Sequence, residues 1–261
     1  MKRLILLLAI CLLTVPTLAQ QPPQIPILVP EVLNEYPHDS DAFTQGLLWF
    51  DGIFYESTGL NGQSSLRRVD IETGEPQELL SIDEQYFAEG LEKVGDTLIQ
   101  LTWKAGEAFV YDFETFERID TIEYDGEGWG LCYDGRYLFM SDSTSYLSVR
   151  DVDTFELIFR GAVTIDGQII PSQLLNELEC VGDHIYANAW QTDFIFKIDK
   201  FTGDVVALID ASGLLTDAER AELGGGDVLN GIAYNPETQT FFITGKRWSQ
   251  MFEVVFTERE G

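Results

Sequence analysis

AEGLEKVGDTLIQL, residues 88–101, is two apolar-alternating runs joined by Gly95-Asp96. A Gly/Asp pair between alternating runs marks a β-hairpin. The pattern returns as TQGLLWFDGIFYES (44–57), GWGLCYDGRYLFMS (128–141) and LNELECVGDHIYAN (175–188). A fifth copy, LNGIAYNPETQTFF (229–242), turns through Asn235-Pro236-Glu237-Thr238 instead. A second register agrees with the first. Asp-x-x-Thr followed by one residue and an acid occurs at DIETGE (70–75), DFETFE (112–117), DVDTFE (151–156) and DKFTGD (199–204).

Each copy therefore reads as strand, hairpin turn, strand, loop, strand, Asp-x-x-Thr turn, strand. Four antiparallel strands in roughly 45 residues make a propeller blade. The expected fold is all-β, a five-bladed β-propeller. The fifth copy stops after its third strand, FEVVF, and PEVLNEYPHD (30–39) is expected to supply the missing one, closing the ring and leaving few edges. A β-sandwich does not explain a repeat of this period. TDAERAEL, with Thr216 and Glu219 in capping-box spacing, predicts one short helix between the last two copies.

The ends and the composition bound the function. Residues 1–19 carry Lys2 and Arg3, an apolar run and a small residue at Ala19, which predicts a signal peptide and export to the periplasm or the exterior. Residues 20–30 read as a Pro-rich tether and 31–261 as a single domain. The formal charge of −28 excludes nucleic acid and anionic membrane as partners, because phosphates are repelled. Such acidity is ordinary for a solubility adaptation and identifies no substrate. The chain is expected to act as a monomer. Two histidines, His38 and His184, and no CxxC give no zinc site. Cys132 and Cys180 fall at nearly equivalent places in adjacent blades, where they could pair but need not come within disulfide reach; the spacing leaves both open and favours unpaired thiols.

Aligning the copies exposes one position that departs from the apolar pattern: Gln45, Glu89, Trp129, Asn176 and Asn230. In a propeller these residues ring one end of the central channel. The second strands return to that end at Thr58, Trp103, Ser143, Trp190 and Thr244 to Lys246. Aromatic walls with a few placed polar groups suit a small-ligand pocket. Any one tryptophan is as well explained by packing; three beside a lone glutamate are not.

The motifs AFTQGLLW (42–49), YESTGLNGQSSLR (55–67), YFAEGLE (86–92), GWGL (128–131), LNELE (175–179), ANAWQTD (187–193), DVLNGIA (227–233) and TGKRW (244–248) resemble the plant and bacterial glutaminyl-peptide cyclotransferases of the papaya-latex type. The similarity runs over about residues 31 to 256. It implies a five-bladed propeller that cyclises the amino-terminal glutamine of peptides to pyroglutamate, unrelated to the zinc-dependent animal enzyme. It implies Glu89 as the proton-transfer residue, with Phe43, Gln45, Trp103, Trp129, Asn176, Trp190 and Lys246 as the substrate pocket. No cofactor is expected for catalysis; a structural calcium ion is allowed, with no ligands assigned. The substrates implied are peptides or proteins that begin with glutamine. The alternatives are a non-catalytic peptide-binding propeller and, behind it, a metal-dependent lactonase or hydrolase.

Overall fold

The computed structural model describes residues 25–259. Strand β1 spans Ile27–Pro37. Four strands follow in the first repeat unit: β2 (Thr44–Phe50), β3 (Ile53–Thr58), β4 (Ser65–Val69) and β5 (Pro76–Ser81). The second holds β6 (Ala88–Val94), β7 (Thr97–Thr102), β8 (Glu107–Asp112) and β9 (Arg118–Glu123). The third holds β10 (Leu131–Tyr133), β11 (Tyr137–Ser141), β12 (Tyr146–Asp151) and β13 (Leu157–Ala162). A two-stranded ribbon, β14 (Thr164–Ile165) and β15 (Gln168–Ile169), comes before the fourth unit. That unit comprises β16 (Leu175–Val181), β17 (His184–Ala189), β18 (Phe194–Asp199) and β19 (Val205–Asp210). The helix α1 (Asp217–Glu222) then leads to β20 (Leu229–Asn235), β21 (Thr240–Gly245) and β22 (Gln250–Glu258).

The described residues are all-β apart from that helix, whose Thr216 and Glu219 form the capping box expected. Units one to three are separate four-stranded antiparallel sheets with strands in chain order. The fourth and fifth lie in one eight-stranded sheet, ordered β16-β17-β18-β19-β1-β22-β21-β20. Strand β1 completes the last unit by antiparallel pairing with β22, from Leu28 opposite Glu258 to Pro37 opposite Gln250. It begins at Ile27, inside the stretch read as a loose tether, because Ile27 and Leu28 also pair in parallel with Leu208 and Ile209 of β19. The signal-peptide reading falls on residues outside those described.

The Asp-x-x-Thr turns recur for a local reason. Asp70 Oδ1 accepts from the N–H groups of Glu72 and Thr73, and Asp112, Asp151 and Asp199 accept from the same relative positions. The side chain stands in for a backbone acceptor and fixes the turn.

Five apolar clusters lie between neighbouring units. Leu48, Leu66 and Phe109 join the first to the second, and Leu101, Leu131 and Met140 the second to the third. Phe139, Ile185 and Ile198 join the third to the fourth, and Ile209, Ile232 and Phe241 the fourth to the fifth. Leu47, Phe54 and Phe242 join the fifth back to the first. The first strands touch in the same cyclic order, β2, β6, β10, β16, β20 and again β2.

The cysteines correct the sequence expectation. Cys132 and Cys180 form a disulfide, with Cα atoms 5.4 Å apart. In the repeat alignment Cys180 stands one place later than Cys132. Side chains alternate faces along a strand, so each sulfur is turned towards the other's unit. Equivalent positions would have faced the same way round.

Candidate functional site

Strand irregularity places the polar residues. Pairing between β6 and β7 shifts register between Ala88 and Leu91, and the extra residue frees Glu89 from the core alternation. The same shift frees Gln45 in β2, between Thr44 and Gly46, and Asn176 in β16, between Leu175 and Leu178. Gly90 and Gly130 allow the first strands to approach. A Cβ on Gly90 would lie 2.7 Å from the Trp129 carbonyl oxygen, which the Gly90 N–H meets at 2.7 Å. One on Gly130 would lie 2.1 Å from the Asn176 carbonyl oxygen.

At this end of the first strands, Phe43, Gln45, Phe87, Glu89, Trp103, Trp129, Asn176, Trp190 and Lys246 line one cavity of about 220 Å³. All eight residues named from the sequence lie on it, drawn from all five units. Phe87, two residues before Glu89, lines it as well. Thr58 and Ser143, also expected near the ring, face elsewhere: Thr58 bonds Ser65 at 2.7 Å, and Ser143 lines a separate groove. Asn230 sits behind the wall, where its Nδ2 donates to the Thr44 carbonyl at 2.9 Å and to Gln45 Oε1 at 3.3 Å. With its oxygen engaged there, Gln45 retains its Nε2 donors for the cavity.

The walls are interlocked aromatics. Trp129 and Trp190 meet at 5.4 Å between centroids with a 76° interplanar angle. Phe87 packs on Trp103 at 5.5 Å and meets Phe43 edge-on at 6.2 Å. The Lys246 ammonium stands 4.9 Å from the Phe43 ring centroid.

Glu89 is only 4% exposed, and its Oε2 has no hydrogen-bond partner. Burial pushes its carboxyl well above the ordinary carboxylate range; Lys246 pulls it down and Glu127 adds to the rise. Burial also lowers Lys246, to about 8, against the pull of Glu89. Burial thus disfavours the charged form of both groups, and each moderates the other's shift.

Glu127 was not legible as a site residue. It is not on the cavity, but its Oε2 accepts the indole N–H of Trp103 and that of Trp129, each at 3.1 Å. His38 is buried away from the cavity, its Nε2 3.0 Å from Glu56 Oε1. Among the described residues no group of His, Cys, Asp or Glu is arranged to hold a metal ion, so no ligands can be assigned to the calcium that the resemblance allows.

A model of the glutamine cyclotransferase family matches residues 5–256. The chain belongs to that family. A curated relative, the glutaminyl-peptide cyclotransferase of Arabidopsis thaliana, is 39% identical over 226 residues, covering 86% of this chain and 70% of that protein. The solved glutaminyl cyclase of Myxococcus xanthus is 40% identical and superposes with a TM-score of 0.84, over 91% of this chain and 100% of its own. The cavity thus lies in a family member similar along most of its length to two cyclases.

Proposed function

We propose that this protein is a glutaminyl-peptide cyclotransferase that closes the amino-terminal glutamine of peptides to pyroglutamate with release of ammonia. The observation that carries the reading is the buried, unpartnered Glu89 Oε2 on a cavity walled by three tryptophans. That cavity is smaller than the ~300–1,000 Å³ of most ligand sites and suits a single terminal residue.

The α-amine nitrogen attacks the γ-carboxamide carbon, the C–N bond of the lactam forms, and the bond to the amide nitrogen breaks. An α-amine of pKa about 7.7–8.0 is partly neutral at pH 7, so the main demand is a proton for the leaving nitrogen. Glu89 takes the proton that the attacking amine sheds and delivers it to departing ammonia. A raised carboxyl suits both halves of that transfer, since a shuttle works best near the operating pH. Gln45 Nε2, the Asn176 amide and the Lys246 ammonium are the donors for the oxygen that gains charge. The indoles hold the flexible side chain folded for ring closure. No step requires a metal.

The same reading takes the fold as a five-bladed propeller closed by β1. The cyclic contacts of the five first strands and the five inter-unit clusters support it. It also takes the protein as exported and monomeric; the Cys132–Cys180 disulfide supports an oxidising compartment.

The test is ammonia release from a Gln-initiated peptide. Wild type releases it, and Glu89→Gln loses about 10²–10⁴ in rate. A wild type without turnover refutes the function, and a folded variant with near-normal turnover removes Glu89 from it.

A further inference from the structure

Glu127 reaches the site from outside the repeat, on the loop between β9 and β10. Its backbone is pinned there. The Gly128 N–H donates to the Trp103 carbonyl at 3.1 Å, and a Cβ on Gly128 would stand 2.3 Å from the Tyr124 hydroxyl. The loop therefore lies directly against the end of β7, where Trp103 begins.

One oxygen of this carboxylate serves two walls that belong to different units. An indole has a single donor, and those of Trp103 and Trp129 are both spent on Glu127 Oε2. The remaining contacts restrain faces and edges only. Lys104 lies 3.8 Å over the Trp103 ring, and Trp190 packs on Trp129. Packing of that kind leaves an indole free to flip or slide; a hydrogen bond to a fixed anion does not. The other oxygen, Oε1, stands 4.0 Å from the Lys104 ammonium, and the side chain is 29% exposed. Glu127 therefore presents a partly exposed charge as well as an anchor behind the cavity wall.

We propose that Glu127 is the positioning residue of the cyclisation site, fixing the spread of the Trp103 and Trp129 indoles around the glutamine end of the substrate. The inference rests on the cyclotransferase reading. It has a second consequence. Lys246 shares the cavity with Glu89 and pulls its carboxyl down, whereas Glu127, behind the indoles of the cavity wall, adds to its rise. The Glu127 carboxylate therefore opposes ionisation of Glu89, and removing its charge makes Glu89 a stronger acid.

Two variants separate anchor from charge. Glu127→Gln keeps an acceptor oxygen for the indoles and loses the charge; Glu127→Ala loses both. In Glu127→Ala, KM for a Gln-peptide rises about tenfold, the loss of two hydrogen bonds to a charged group being partly recovered by water. In Glu127→Gln, KM rises less, and the acid limb of the kcat/KM profile moves to lower pH. The five tryptophans give five indole N–H resonances in a nitrogen–proton correlation spectrum, of which two move in Glu127→Ala. Unmoved resonances in Glu127→Ala, or an unchanged KM, overturn the anchoring role. An acid limb that stays put in Glu127→Gln overturns the electrostatic one, and it does so even if the alanine variant fails to fold. A wild type that releases no ammonia sinks the cyclotransferase reading instead, while the resonances still report whether Glu127 holds the two rings.

Discussion

Removing the Cys132–Cys180 bond should weaken the fold substantially, by an amount that follows from its place in the chain. The two residues are 48 apart in sequence. A cross-link closing a loop of that size restricts the unfolded chain by about 4 kcal/mol. In a domain of this size each kcal/mol moves the melting temperature by about 2–4 °C, so Cys132→Ala/Cys180→Ala should melt about 8–16 °C below wild type. Alanine is the right replacement at Cys132, which is fully buried, because a serine hydroxyl there would add the cost of an unpaired polar group. Calorimetry of the variant, and of wild type in reductant, gives the measurement. Trp129 precedes Cys132 by three residues and Asn176 precedes Cys180 by four, so inactivation on heating should accelerate in parallel. A variant that melts within ~2 °C of wild type refutes the reasoning, because a bond joining two units through buried strands would then be constraining nothing.

The Glu92 carboxyl is held up to about 8 by burial, and Glu177 is raised well above the usual range for the same reason. The folded chain therefore binds more protons than the unfolded one between about pH 4.5 and 8, and stability falls as pH rises through that window; urea midpoints that rise from pH 5 to pH 9 would contradict this. Glu56 does not offset the trend: burial raises it, but His38 and Arg67 prevail and lower it, so its contribution is complete by pH 5 and is lost only in acid. Glu56→Gln should cost about 3–5 kcal/mol in urea denaturation, since it strips His38 of its buried partner, and a loss under ~1 kcal/mol would show the pair to be replaceable. Gly130→Ala sets a Cβ against the backbone of β16 and should cost about 1–3 kcal/mol while raising KM through Asn176; unchanged stability would mean that the strands can separate freely.

The strand pattern was legible because the repeat was. Hairpin pairs and Asp-x-x-Thr turns are local chemistry repeated in sequence, and their side chains meet partners within three residues. Seven of the eight site residues were legible for a related reason: aligned copies isolate one polar position in the first strands and the ends of the second strands, and Glu89, Gln45 and Asn176 sit at register breaks; Phe43 came only from the family resemblance. Glu127 had no such signal. Its loop is one of the connections between units, which share no repeated sequence, and its importance lies in two indoles, one 24 residues before it and one two after. The disulfide needed a one-place stagger to be read as a change of face, which spacing alone does not announce. The β1–β19 pairing is tertiary, set by which neighbour the start of β1 meets; the β14–β15 ribbon is a local hairpin about Asp166-Gly167 that falls outside the repeat.

Strand β1 lies against β22, so that Asn34 hands a hydrogen bond to Glu253 across 219 residues of sequence. Strand β1 must wait until β22, more than two hundred residues later, has been made before its partner exists. Closure of the last unit is thereby deferred until β22 has been made, while the three separate four-stranded sheets need no such delay.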